Sequence, residues 1–197
     1  MIIYLHGFSS AARSRKAQWL KNNIKEMPVL IPEYPSHQPV KSINLLSGFI
    51  QQHQYASPLM LIGSSLGGYY AQYLGATLEA VKKVVMINPA LQPQQTLAPV
   101  VGKQSNMVTG EPFEFRRDDL EELATFDKPA SQIAVPTLVL LDEGDDIIDF
   151  HFAKQKYASL GQAKVIAYPG GSHWFEHLEE ALPEILRFYK SDENNLI

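Results

Sequence analysis

The sequence predicts an α/β fold with a mostly parallel central sheet flanked by helices. Three observations lead there. Short apolar runs alternate with segments of helical period along the chain. One run ends in Gly63-Ser64-Ser65-Leu66-Gly67 and passes directly into a helical pattern. The last two runs end in an acid-rich loop and then in a glycine-rich loop bearing His173.

Residues 2–5 read as a first strand that stops in His6-Gly7-Phe8-Ser9-Ser10. A helix is expected over 14–25, with Ala17, Leu20 and Ile24 on one face. Residues 29–31 form a second strand, broken off by Pro32-Glu33-Tyr34-Pro35. Ile43, Leu46, Phe49 and Ile50 recur at helical spacing before a strand at 59–62, and the helix after the glycine turn carries Tyr69, Tyr70, Tyr73 and Leu74. The tyrosines read as packing residues. Further strands are expected at 84–87, 137–141 and 164–167, with helices over 150–159 and 176–190.

Residues 89–136 lie between two core strands and are rich in Pro, Gln and charge, with one acidic helix around 118–124. An insertion of that length is expected to serve as a short lid or a substrate loop. Arg116 and Arg117, beside Asp118, Asp119, Glu121 and Glu122, read as a solvated helix face.

Composition narrows the function classes. The 197 residues suit one domain over 1–197, long enough for a sizeable core. A 45% apolar and 19% charged chain is an ordinary globular one. The net charge of −4 argues against a general nucleic-acid or anionic-membrane binder. With no cysteine, disulfides, thiolate metal sites and a catalytic cysteine are excluded. No apolar run reaches bilayer length, and the few residues before His6-Gly7 carry no leader pattern. A cytoplasmic protein with a small-molecule partner, no nucleic acid and no membrane span is expected.

The chemistry is carried by Gly63-x-Ser65-x-Gly67, the nucleophile elbow of the α/β-hydrolase fold. A serine between a strand end and a helix start sits on a tight turn, and glycines two residues either side remove side chains that would collide there. Alone, the pattern arises by chance in about one chain in fifteen of this length. Its strand–turn–helix setting is what gives it weight. A serine hydroxyl needs a base, and the fold's chain order of Ser, Asp, His selects His173, after the last strand and Gly170-Gly171-Ser172, from six histidines. The acid follows the strand at 137–141, in Asp142-Glu143-Gly144-Asp145-Asp146-Ile147-Ile148-Asp149. Asp142 ends the strand and Asp149 is a helix N-cap, which leaves Asp145 after the turn at Gly144, with Asp146 in reserve.

Two backbone amides should form an oxyanion hole, those of Leu66 and Phe8. His6 is expected to buttress that loop. No metal and no organic cofactor is needed. Tyr34, Met107, Phe113, Phe115 and Trp174 are candidates to line an acyl pocket.

Two rival readings differ in class. His173-Trp174-Phe175-Glu176-His177 matches the H-x-x-E-H of a zinc-dependent peptidase. It leaves the serine elbow and the His-Gly loop unexplained and supplies no third ligand. A binding protein that keeps the fold without the activity is the other; degenerate hydrolases usually lack a triad member, and here all three are in order.

Tyr4-Leu5-His6-Gly7-Phe8, the stretch from Ile62 to Tyr70, Asn88-Pro89-Ala90 and Gly144-Asp145 together resemble the small bacterial YqiA-like esterases over nearly the whole chain, including the abrupt start before the His-Gly loop. The resemblance implies an α/β-hydrolase fold and carboxylesterase activity on short-chain esters, with acyl-CoA thioesters as a second candidate class. It also implies Ser65, Asp145 and His173 as the triad, because the family's acid directly follows that loop glycine. The residue before His173 is Ser172, where relatives can differ; it does not bear on the mechanism.

Overall fold

A computed structural model describes residues 1–55 and 58–191. The chain runs β1 (Ile2–Leu5), α1 (Arg15–Asn23), β2 (Val29–Leu30), α2 (Pro39–Gln52), β3 (Leu59–Ser64), α3 (Leu66–Thr77) and β4 (Val81–Ile87). The insertion follows, with α4 (Pro93–Leu97), a hairpin of β5 (Gly102–Ser105) and β6 (Pro112–Phe115), α5 (Arg117–Glu122) and short 3₁₀ turns. Then come β7 (Thr137–Asp142), α6 (Phe150–Ala158), β8 (Ala163–Tyr168) and α7 (Leu178–Lys190).

Six strands form one parallel sheet in the order β2-β1-β3-β4-β7-β8. Alternation along each strand sends side chains to opposite faces, and both faces are covered. Ile3, Leu5, Leu59, Leu61, Val84, Met86, Val139 and Leu141 pack with α2, α3 and α6. Ile2, Tyr4, Met60, Ile62, Val85, Ile87, Leu138 and Leu140 pack with Ala17 and Leu20 of α1 and Ala181, Ile185 and Phe188 of α7. This is the α/β-hydrolase arrangement. Register pairs Leu5 with Gly63, Ser64 with Ile87, and Asp142 with Tyr168, so the chemistry-bearing loops all leave from one edge of the sheet.

The insertion differs from expectation in two places. The β5–β6 hairpin was not readable because Gly102-Lys103-Gln104-Ser105 offers no apolar alternation. It is closed by Asn106, whose Oδ1 accepts from the amides of Val108 and Thr109. The acidic helix is also not wholly solvated. Asp119 is buried and accepts from the backbone and the guanidinium of Arg116, so this pair caps the start of α5. Tyr69 and Tyr70 are fully buried, and their hydroxyls donate to the carbonyls of Leu123 and Ser36. They tie α3 to the insertion and to the loop after β2.

Backbone packs closely on backbone at the glycines around the elbow. A Cβ added at Gly63 would lie 2.2 Å from the carbonyl oxygen of Gly67. One added at Gly67 would lie 2.2 Å from the carbonyl oxygen of Leu5. Backbone on backbone cannot yield as a flexible side chain can. Gly63→Ala should therefore lower the unfolding free energy by about 3 kcal/mol or more in urea denaturation. Gly161→Ala, where an added Cβ meets nothing within 4 Å, should leave it nearly unchanged.

Candidate active site

Ser65 stands between β3 and α3 with φ 54° and ψ −122°. A non-glycine residue there carries strain of about 1–3 kcal/mol and persists only where its surroundings over-determine it. They do so here. The Ser65 amide donates to Ile87 O (3.0 Å), and its carbonyl accepts from the amides of Gly68 (2.9 Å) and Ala90 (3.1 Å). Ser64, the neighbour without glycines in register, is buried.

His173 reaches the elbow from the loop after β8. Its Nε2 is 3.0 Å from Ser65 Oγ, while Nδ1 is 2.9 Å and 3.1 Å from the two oxygens of Asp145. With Nδ1–H donating to the carboxylate, Nε2 is left as the acceptor for the serine hydroxyl. The Asp145 carboxylate is 1% exposed, and its Oδ1 also accepts from the amides of Ile147 and Ile148. Asp146 is exposed, its Oδ1 3.4 Å from the amide of His173. Asp149 caps α6 by accepting from the His151 amide.

The His6-Gly7-Phe8 loop lies directly against Ser65: a Cβ added at Gly7 would sit 3.2 Å from Ser65 Cβ and 3.7 Å from its Oγ. The Leu66 amide opens α3, where first-turn N–H groups have no partner within the helix. His6 is buried, stacks on Tyr34 at 4.2 Å between ring centroids, and turns Nδ1 to Gly7 O (3.1 Å). Tyr34 donates its hydroxyl to His6 O. Burial holds His6 below the usual histidine pKa, so the ring is neutral at neutral pH. Phe8 packs edge-on against Phe113 and Phe115 of the hairpin, whose Asn106 and Met107 donate to the carbonyls of Ser10 and Ser9.

A second carboxylate–histidine pair lies beside the first. Asp142 is fully buried, and its oxygens accept from His177 Nδ1 (2.8 Å) and from the amides of Glu176 (2.8 Å) and Ser172 (3.2 Å). Asn88 completes this anchor by accepting from the Asp142 amide and donating to Ser172 O. At Gly171, with φ 74°, a Cβ would fall 2.0 Å from Asp142 Oδ2, so the loop passes the carboxylate only as glycine. Asp142, Asn88 and His177 were not identified as site residues from sequence. Asp142 reads from sequence as a strand end, Asn88 enters only through the family resemblance, and His177 only through the H-x-x-E-H run.

This pairing separates the two histidines of H-x-x-E-H. His173 lies outside the helix and His177 is the N-cap residue of α7, and each gives Nδ1 to a different aspartate. Among the described residues no group of three or more His, Asp and Glu side chains has a metal-holding arrangement. The candidate pocket residues also divide. Tyr34 and Phe115 are buried core, Phe113 is partly buried, and Met107 and Trp174 are exposed. No helix among the described residues is long and apolar enough to cross a membrane.

Comparison with known proteins places the chain. The family model described as "Uncharacterised protein family (UPF0227)" matches residues 1–190. The chain belongs to the UPF0227 family. A UPF0227 protein of Vibrio parahaemolyticus is 30% identical over 155 residues, 76% of this chain and 78% of that one. A shorter match, to a UPF0227 protein of Shewanella sediminis, spans about half of either chain. Among solved structures, Est1E from Butyrivibrio proteoclasticus aligns with a TM-score of 0.76 at 16% identity, covering 95% of this chain and 87% of that one. The esterase domain of a Rhodothermus marinus protein aligns with a TM-score of 0.69 at 20% identity, covering 94% and 83%. At such identities the likeness shows the α/β-hydrolase fold of this UPF0227 chain.

Asp142→Asn would turn an amide N–H₂ toward donors that a carboxylate now satisfies. It should cost about 3 kcal/mol of stability in urea denaturation.

Proposed function

We propose that the protein is a serine carboxylesterase working through an acyl-enzyme on Ser65. The observation that carries this reading is the continuous contact from Ser65 Oγ through the His173 imidazole to the buried Asp145 carboxylate. Each role follows from that geometry. His173 Nε2 accepts the hydroxyl proton as Oγ attacks the acyl carbonyl, and Asp145 fixes the tautomer and stabilises the imidazolium. The amides of Leu66 and Phe8 receive the oxyanion, each worth about 3 kcal/mol. His173 then gives its proton to the leaving alcohol or thiol. Water, activated by the same imidazole, releases the carboxylic acid and frees Ser65.

Esters of short acyl chains are the first substrate class, and acyl-CoA thioesters the second, since both present the same carbonyl. We read the insertion at 89–136 as a fixed wall of the substrate cleft. Its hairpin is bonded to Ser9 and Ser10, immediately after the proposed oxyanion donor Phe8. The structural likeness to esterases favours ester chemistry over other uses of the fold.

Ser65→Ala or His173→Ala should lower aryl-ester turnover by about three orders of magnitude or more. Near-parent rates in either variant would refute the reading, as would a purified protein that fails to label with a fluorophosphonate. Asp145→Asn should cost up to about 10⁴-fold in kcat, through the wrong imidazole tautomer. Asp146→Asn should cost less than about ten-fold, since its one bond to the histidine loop is long.

A further inference from the structure

Lys16 stands in the first turn of α1, four residues before Leu20 and eight before Ile24, on the stripe that faces the sheet. A lysine on that stripe must bring its ammonium to partners at the sheet edge. Lys16 Nζ donates to Ser64 Oγ at 2.8 Å and lies 6.0 Å from the centre of the Phe175 ring. Ser64 ends β3, directly before Ser65. Asp142 of β7 and Asp145 of the following loop make no ion pair with the ammonium but favour its charged form through space. Those two carboxylates hold His177 and His173.

We propose that Lys16 is a positioning residue for ester hydrolysis, its ammonium linking the strand end that presents Ser65 to the histidine loop at Phe175 and offsetting the charge of the two aspartates that hold that loop. The inference rests on the esterase reading. Two carboxylates with essentially no exposure repel one another, and a cation in the same cluster offsets that repulsion. Losing the cation lets the acid loop and the histidine loop readjust against the elbow. A small displacement of His173 from Ser65 costs rate, because the proton transfer depends on their contact.

Burial pushes the Lys16 pKa down to about 8, against the pull of both aspartates. The sign follows: below about pH 8 the cation is present, and above it the cation is lost. The test is the pH dependence of kcat and KM on an aryl ester from about pH 6 to 10, for the parent, Lys16→Met and Lys16→Arg, with Ser65→Ala as blank. At about pH 6.5, Lys16→Met should show kcat about ten-fold below the parent with KM little changed. That ratio should shrink toward one by about pH 10, where the parent has lost its own charge. Lys16→Arg, charged throughout, should hold its rate across the alkaline range where the parent declines.

A Lys16→Met deficit that is the same at every pH, or no deficit at all, would overturn the proposal. Should Lys16→Met not fold, the parent and Lys16→Arg decide it. An alkaline decline in the parent that Lys16→Arg lacks supports the role, and parallel profiles refute it. Failure of the esterase reading appears separately, as a Ser65→Ala protein no slower than the parent.

Discussion

The structure turns on one backbone conformation, the positive φ of Ser65. That conformation is uphill by itself, and three elements hold it in place. β4 takes the Ser65 amide through Ile87 O, the first turn of α3 takes its carbonyl through Gly68, and the Asn88-Pro89-Ala90 turn adds the amide of Ala90. The glycines either side hold the surrounding backbone at distances that only glycine permits. Gly63 faces the Gly67 carbonyl and Gly67 faces the Leu5 carbonyl, so β3, α3 and β1 are locked by the spacing that defines the motif. The glycines are thus packing requirements of three elements as well as freedom for one turn.

From that fixed point the remaining loops are set by hydrogen bonds among themselves. The amides of Glu143 and Gly144 donate to Tyr168 O and Gly170 O, joining the acid loop to the histidine loop before either side chain is considered. Asp142 then collects two amides and an imidazole from the same loop, and Asn88 bridges it to the turn behind Ser65. The contact of His173 with Ser65 therefore depends on a closed circuit running from the elbow through Asn88 and Asp142 back to the histidine loop. Rigidity of this kind lets a 3.0 Å contact persist across 108 residues of chain.

Much of this was legible in the sequence, for definite reasons. Strands buried on both faces leave unmistakable apolar runs, and the elbow announces itself because its glycine spacing is local. Asp142 and Asp149 could be set aside because a strand end and a helix N-cap have their own consequences, while Asp146 stayed in reserve behind Asp145. The hairpin was hidden because one of its strands is wholly non-apolar. Lys16 and His177 were hidden for a different reason. Their partners lie 48 and 35 residues away, and nothing in a helical stripe or an N-cap position reveals what a long or ionisable side chain will find there.

The H-x-x-E-H run shows how one spacing can serve two chemistries. In a metal site, four residues put both imidazoles on one helix face. Here the interval crosses the end of a loop, with Phe175 at φ 58° between the histidines, so the rings part company. His173 goes to Ser65 and Asp145, and His177 goes to Asp142, where Tyr168 stacks on it at 5.0 Å. The loop has to make both connections within five residues, because it must deliver one histidine to the elbow and start α7 immediately afterwards. Two aspartates three residues apart in the β7 loop match two histidines four apart in the next. That matching lets the second pair carry the structural load, leaving Asp145 only His173 and its own loop amides to satisfy.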